Sequence, residues 1–97
     1  MLGGFSKGAE IANADIQKKV SHHIGDINAQ LGTSHAEFDA ITYRSQVVNG
    51  MNYLVKVRAG GKYYHVQIHQ PRIETNEPSK LMRAKGGFQL GCALNPL

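Results

Sequence analysis

Tryptophan is absent, cysteine occurs once and proline three times in this chain of 97 residues. The single thiol, Cys92, excludes an internal disulfide. A small domain without that staple suits a reducing compartment, so the cytoplasm is the expected location. No apolar stretch approaches the roughly 20 residues a membrane-crossing helix requires, and no membrane partner is expected. The opening Met1-Leu2-Gly3-Gly4-Phe5-Ser6-Lys7 also lacks the apolar run of a secretory leader. Runs of like charge are missing too. The formal net charge is +4, but lysine and arginine are scattered, with no aromatic-interleaved basic stripe to follow phosphates. Nucleic acid is therefore not an expected partner. The length fits one small domain with one core, spanning residues 1–97.

What the sequence does contain is periodicity. Residues 1–12 show none and carry Gly3, Gly4 and Gly8, which reads as a mobile trunk. Asn13 then offers an N-cap, and Asp15 places negative charge in a first turn. Ile16, Val20, Ile24, Ile27 and Leu31 recur at helical spacing and predict one amphipathic helix stopped by Gly32. Gly25 lies inside it, at a cost of about 1 kcal/mol relative to alanine unless it permits close approach to a sheet.

From Phe38 the period falls to two. Strands are predicted over residues 37–48, 52–58 and 63–69. Tyr53, Val55 and Val57 form one face of the second of these strands, and Tyr64, Val66 and Ile68 one face of the third. Asn52, Lys56 and Arg58 form the other face of the second, and Tyr63, His65, Gln67 and His69 that of the third. A turn covers Ala59–Lys62 and a loop covers Gln70–Ser79. A fourth strand is expected over Lys80–Lys85, with a bulge at Gly86-Gly87 and resumption over Phe88–Leu90. One helix and consecutive strands give an α+β fold, an antiparallel sheet of four to five strands wrapped on the N-terminal helix. Turns of a meander alternate ends, so the Val47–Gly50 turn and the Gln70–Ser79 loop share one end.

That end is unusual. Asn49-Gly50 is a strong hairpin signal, because both residues tolerate positive φ. Yet Val47 and Val48 lead into it, where polar residues are the rule. Alternation forbids both valines from facing inward on a regular strand, so at least one is exposed or binds something.

Chemistry of the chain's own has little support, and no enzymatic activity, metal or cofactor is expected. Cys92 with a histidine would be a nucleophile pair, but a free thiol near a loose C-terminus is the simpler reading. His65 and His69 share a strand face at a spacing of about 13 Å, too far to ligate one ion. His22 and His23 are adjacent on a helix and diverge. Solvated or half-packed histidines are the expectation. A helix-on-sheet binding or adaptor module is one reading of the architecture.

The segment FDAITYRSQVVNGMNYLVKV resembles the central part of the cystatins, which inhibit papain-like cysteine proteases of the cathepsin type. Gln46, Val48 and Gly50 fill their Gln-x-Val-x-Gly signature, with Val47 and Asn49 in the variable places. GKYYHVQIH resembles the next strand, and Gly3-Gly4 matches the N-terminal glycine region. The resemblance covers residues 1 to 69, and size and lack of disulfides point to the stefin branch. Where stefins place Leu-Pro in a second loop this chain has Gln70-Pro71, and its GGFQLGCALNPL ending departs from the family pattern.

The resemblance implies a reversible competitive inhibitor that fills a protease cleft with three parts. These are a trunk of Leu2, Gly3 and Gly4, a first hairpin of Gln46, Val47, Val48, Asn49 and Gly50, and a second loop with Gln70 and Pro71. A monomer is expected, with a domain-swapped dimer as the secondary form.

Overall fold

The computed structural model describes residues 8–94. A short strand β1 (Glu10–Ile11) leads into two helices, α1 (Ala14–His22) and α2 (Ile24–Leu31). Then come β2 (Asp39–Val48), β3 (Gly50–Ala59), β4 (Lys62–Gln70), a 3₁₀ turn at Ile73–Thr75 and β5 (Lys80–Phe88). The strands form one antiparallel sheet in the order β1-β2-β3-β4-β5. It is the α+β antiparallel meander that the alternation predicts, and the arrangement that the resemblance to the cystatins implies.

Local chemistry accounts for the helices. Asn13 Oδ1 accepts from Ile16 N–H at 2.9 Å, capping α1. Gly32, at φ 68, ends α2 in the left-handed conformation. The stripe expected on one helix is divided at His23, whose N–H bonds to Val20 O at 3.0 Å, one residue short of α-helical spacing. The buried His23 ring holds the break, with Nδ1 3.2 Å from Asp26 Oδ2 and Nε2 2.9 Å from Ser79 Oγ. Gly25 does not mark close approach to the sheet, because a Cβ there would meet nothing within 4 Å.

Ile16, Val20 and Ile27 pack onto Val55, Val57, Tyr64, Val66 and Ile68, closed by Phe38. Full burial of each such aliphatic side chain contributes about 1.5–3 kcal/mol. Gln17 pins the entry to β2, donating to Phe38 O and accepting from Ala40 N–H, both at 2.8 Å.

Three sequence expectations change. Part of the supposed trunk is a strand: Glu10–Ile11 pairs with Tyr43 and Thr42, and Ala12 N–H reaches Ile41 O at 3.0 Å. β5 runs on through Phe88, although the register does slip at Gly86-Gly87, where Gly87 has φ 84. The outer sheet face is not simply solvated. Leu54, Lys56 and His65 are buried there with Leu94, while His65 stacks on Phe88 at 3.7 Å between ring centroids. Alternation correctly placed Lys56 and His65 on that face, but the chain's own C-terminal segment covers it.

Candidate functional site

The β2–β3 hairpin narrows to one residue, Asn49, because Val48 already pairs with Gly50. Only Gly50 takes positive φ, at 111°, where the Asn-Gly signal suggested both residues would. Close approach makes that glycine necessary. A Cβ on Gly50 would lie 2.3 Å from Gln70 O and 3.1 Å from Pro71 Cα. The first hairpin and second loop are therefore backbone to backbone at one end of the sheet, where the meander geometry put them.

Val47 and Val48 point to opposite faces of β2, and neither joins the core. Val47 lies on the face of Tyr43 yet is 60% exposed, since it extends past the helix cover. Val48 is half-buried. Together with Gly50, Met51, Gln70 and Pro71 they line a groove of about 540 Å³, with Lys19 and Arg72 completing its wall. Lys19 Nζ sits 5.5 Å from the Tyr53 ring centroid and 3.5 Å from Asp15 Oδ2. Arg72 Nε lies 3.2 Å from Glu74 Oε2, with both side chains largely exposed. Burial pushes the Tyr53 phenol above its ordinary range, so it is neutral beside Lys19.

Pro71 is buried against the hairpin rather than displayed at the loop surface. Gln46 is half-buried, and its Oε1 accepts from Asn52 Nδ2 at 3.2 Å. Asn52 Oδ1 in turn lies 2.7 Å from His69 Nδ1. Leu2, Gly3 and Gly4 lie outside the described residues. β1 runs antiparallel to β2, so from Ile11 to Glu10 the chain heads toward the hairpin tip.

The residues weighed for chemistry lie apart from this groove. Cys92 Sγ accepts from Gln89 N–H at 3.2 Å, inside a folded turn rather than a loose end. His65 is fully buried, not solvated or half-packed, and His23 also lies in the interior. Among the described residues no group of three or more His, Cys, Asp or Glu is placed to hold a metal ion, and no helix is long and apolar enough to cross a membrane.

Sequence reasoning missed the C-terminal cover. Lys56 Nζ donates to Leu90 O and to Cys92 O, the latter at 2.5 Å, and Arg44 donates to Leu94 O at 2.5 Å. The apolar residues of the ending, Phe88, Leu90 and Leu94, were the available signal.

Comparison with known proteins follows the same lines. The family model described as the cystatin domain matches residues 3–87, beyond the 69 residues of the recognised motifs and through most of β5. Leukocyte cysteine proteinase inhibitor 1 of Sus scrofa is 34% identical over 91 residues, 93% of this chain and 84% of its own. Cystatin-A of Homo sapiens is 34% identical over 76 residues, 77% of this chain and 76% of its own. Stefin-C of Bos taurus is 33% identical over 81 residues, 82% of this chain and 79% of its own.

Proposed function

The chain belongs to the cystatin family, on its stefin branch, and from that premise we propose that it is a reversible, competitive inhibitor of papain-like cysteine proteases. The observation that carries the reading is Val47, an exposed apolar side chain at a hairpin tip one residue wide. Such a tip fits a narrow cleft with a thiolate at its floor. Burying Val47 and Val48 there favours binding by roughly 1.5–3 kcal/mol for each side chain that becomes fully covered.

The parts act without chemistry of their own. Asn49 and Gly50 make the tip thin, and Gln46 braces it from behind. Gln70 and Pro71 back the hairpin and widen the edge on the second-loop side. Leu2 supplies an apolar group for a substrate pocket, and Gly3 and Gly4 let the backbone pass the catalytic sulfur closely. On this reading the inhibitor backbone crosses the cleft without presenting a carbonyl in attack geometry, so the thiolate is not acylated. A hairpin already shaped before docking loses little conformational entropy. The contacts of Leu2, Gly3 and Gly4 act mainly on the dissociation rate.

We extend the proposal to a monomer acting in the cytoplasm, where one unpaired cysteine suits the reducing conditions. The test is titration of active-site-quantified papain with the purified chain. Stoichiometric loss of activity, reversed by excess substrate, is expected. Full activity at micromolar inhibitor overturns the reading.

A further inference from the structure

Behind the tip, three side chains from three neighbouring strands sit in register: Gln46, Asn52 and His69. Asn52 donates through Nδ2 to Gln46 Oε1 at 3.2 Å, which leaves its Oδ1 as acceptor for the Nδ1–H of His69 at 2.7 Å. The row therefore runs from the strand that enters the first hairpin to the strand that leads, one residue later, into Gln70-Pro71. It is half-buried along its length, so water competes only partly for these bonds. Ahead of it, Gly50 and Gln70 touch through their backbones.

We propose that Asn52 and His69 are positioning residues that fasten the hairpin to the second loop, so that both enter a protease cleft as one body. Neither needs to touch the enzyme. Asn52 fixes the amide of Gln46, and His69 fixes Asn52. Without the row, the strand ladder and the Gly50–Gln70 backbone contact remain, and tip and loop are held less rigidly to each other. Each must then be ordered on docking, which weakens the complex. The inference rests on the inhibitory reading for its effect on binding, but not for its effect on the free protein.

The experiment compares His69→Ala, Asn52→Ala, the double variant and His69→Gln with the unmodified chain. Two quantities are read: the dissociation rate from papain, and amide exchange of the free protein at Asn49–Met51 and at Val55 and Val66. His69→Ala, which loses one bond of the row, is expected to raise the dissociation rate and speed exchange at Asn49–Met51 by about three- to tenfold, the worth of one partly buried hydrogen bond, and Asn52→Ala, which loses both, by about ten- to a hundredfold. Exchange at Val55 and Val66 stays unchanged. The double variant is no worse than Asn52→Ala, because both changes break one row. His69→Gln, which keeps a donor, restores at least half of the loss. Unaltered exchange at the tip in both single variants overturns the proposal, as does equal acceleration at Val55 and Val66. Should the unmodified chain fail to inhibit papain, the inhibitory reading falls, and the exchange comparison alone decides whether the row positions the hairpin.

Discussion

Three glycines separate backbone strain from steric exclusion, and alanine at each gives a graded test of how the two loops meet. Gly25 sits in α2 with ordinary helical backbone and open space where a Cβ would go. Alanine there removes unfolded-state freedom and adds no clash, so stability should rise by about 0.5–1 kcal/mol. Gly61 has φ 74 and equally open surroundings. Alanine must then adopt a left-handed conformation alone, costing about 1–2 kcal/mol. Gly50 combines positive φ, 111°, with a virtual Cβ 2.3 Å from Gln70 O, a separation real Cβ atoms essentially never show. Its neighbour is backbone, not the end of a flexible side chain, so the second loop itself must move.

For Gly50→Ala, about 1–3 kcal/mol of backbone strain adds to about 1–3 kcal/mol for forced repacking. The expected total is about 2–6 kcal/mol, or a melting temperature lowered by about 8 °C or more for a domain of this size. Urea unfolding followed by circular dichroism gives all three values on one scale, with slopes that should agree. If Gly50→Ala costs no more than Gly61→Ala, the loops are not in backbone contact and the account of the site fails. If Gly50→Ala loses stability as expected, papain inhibition should fall with it, because the groove between hairpin and loop is reshaped.

Much of this arrangement was legible in the residues. Period-two alternation from Phe38 onward sets the strands, and meander geometry then places Val47 and Gln70 at one end without reference to any relative. The Asn13 cap and the Gly32 stop are local, and local signals survive folding well. The failures share a cause in long-range packing. His23 divides the helix because its ring finds Ser79, 56 residues away in sequence. Lys56 and His65 are buried on the outer face, which the sequence does not reveal, since alternation reports a side of the sheet and not what later covers it. Pro71 reads as a loop proline, and only its contact with Gly50 shows it turned inward. The exposed tip is the converse case: Val47 has core parity but lies beyond the last residue the helix can cover.

The remaining expectations bear on the tip, the C-terminal cover and the buried histidine. Val47→Asp should leave stability within about 0.5 kcal/mol, as the site is mostly exposed. It should weaken papain inhibition at least about a hundredfold by placing a carboxylate in the cleft, and undiminished inhibition would rule out the wedge. Leu94→Ala, at a side chain only 4% exposed, should cost about 2–3 kcal/mol in urea unfolding. A loss below about 0.5 kcal/mol would mean the C-terminal segment does not hold the outer face. His65 gives the sharpest pH dependence. Burial, reinforced by the nearby Lys56 ammonium, lowers its pKa from 6.5 to about 4, and among the described residues neither ring nitrogen has a hydrogen-bond partner. The unfolded chain therefore takes up this proton near pH 6.5, while the folded chain resists until about pH 4. Above the upper value the ring is neutral in both states and stability is unaffected. Between the two the unfolded state binds more protons, so stability falls as pH falls and the loss levels off below the lower value. A depression of this size caps the effect at about 3 kcal/mol. His65→Leu removes the titration and keeps an apolar group beneath Phe88, so the carboxylates common to both proteins cancel in the comparison. The gap in stability between variant and unmodified chain should shift in the variant's favour as pH is lowered from 7 through this window, and a gap independent of pH would show that His65 does not sit neutral beneath the C-terminal segment.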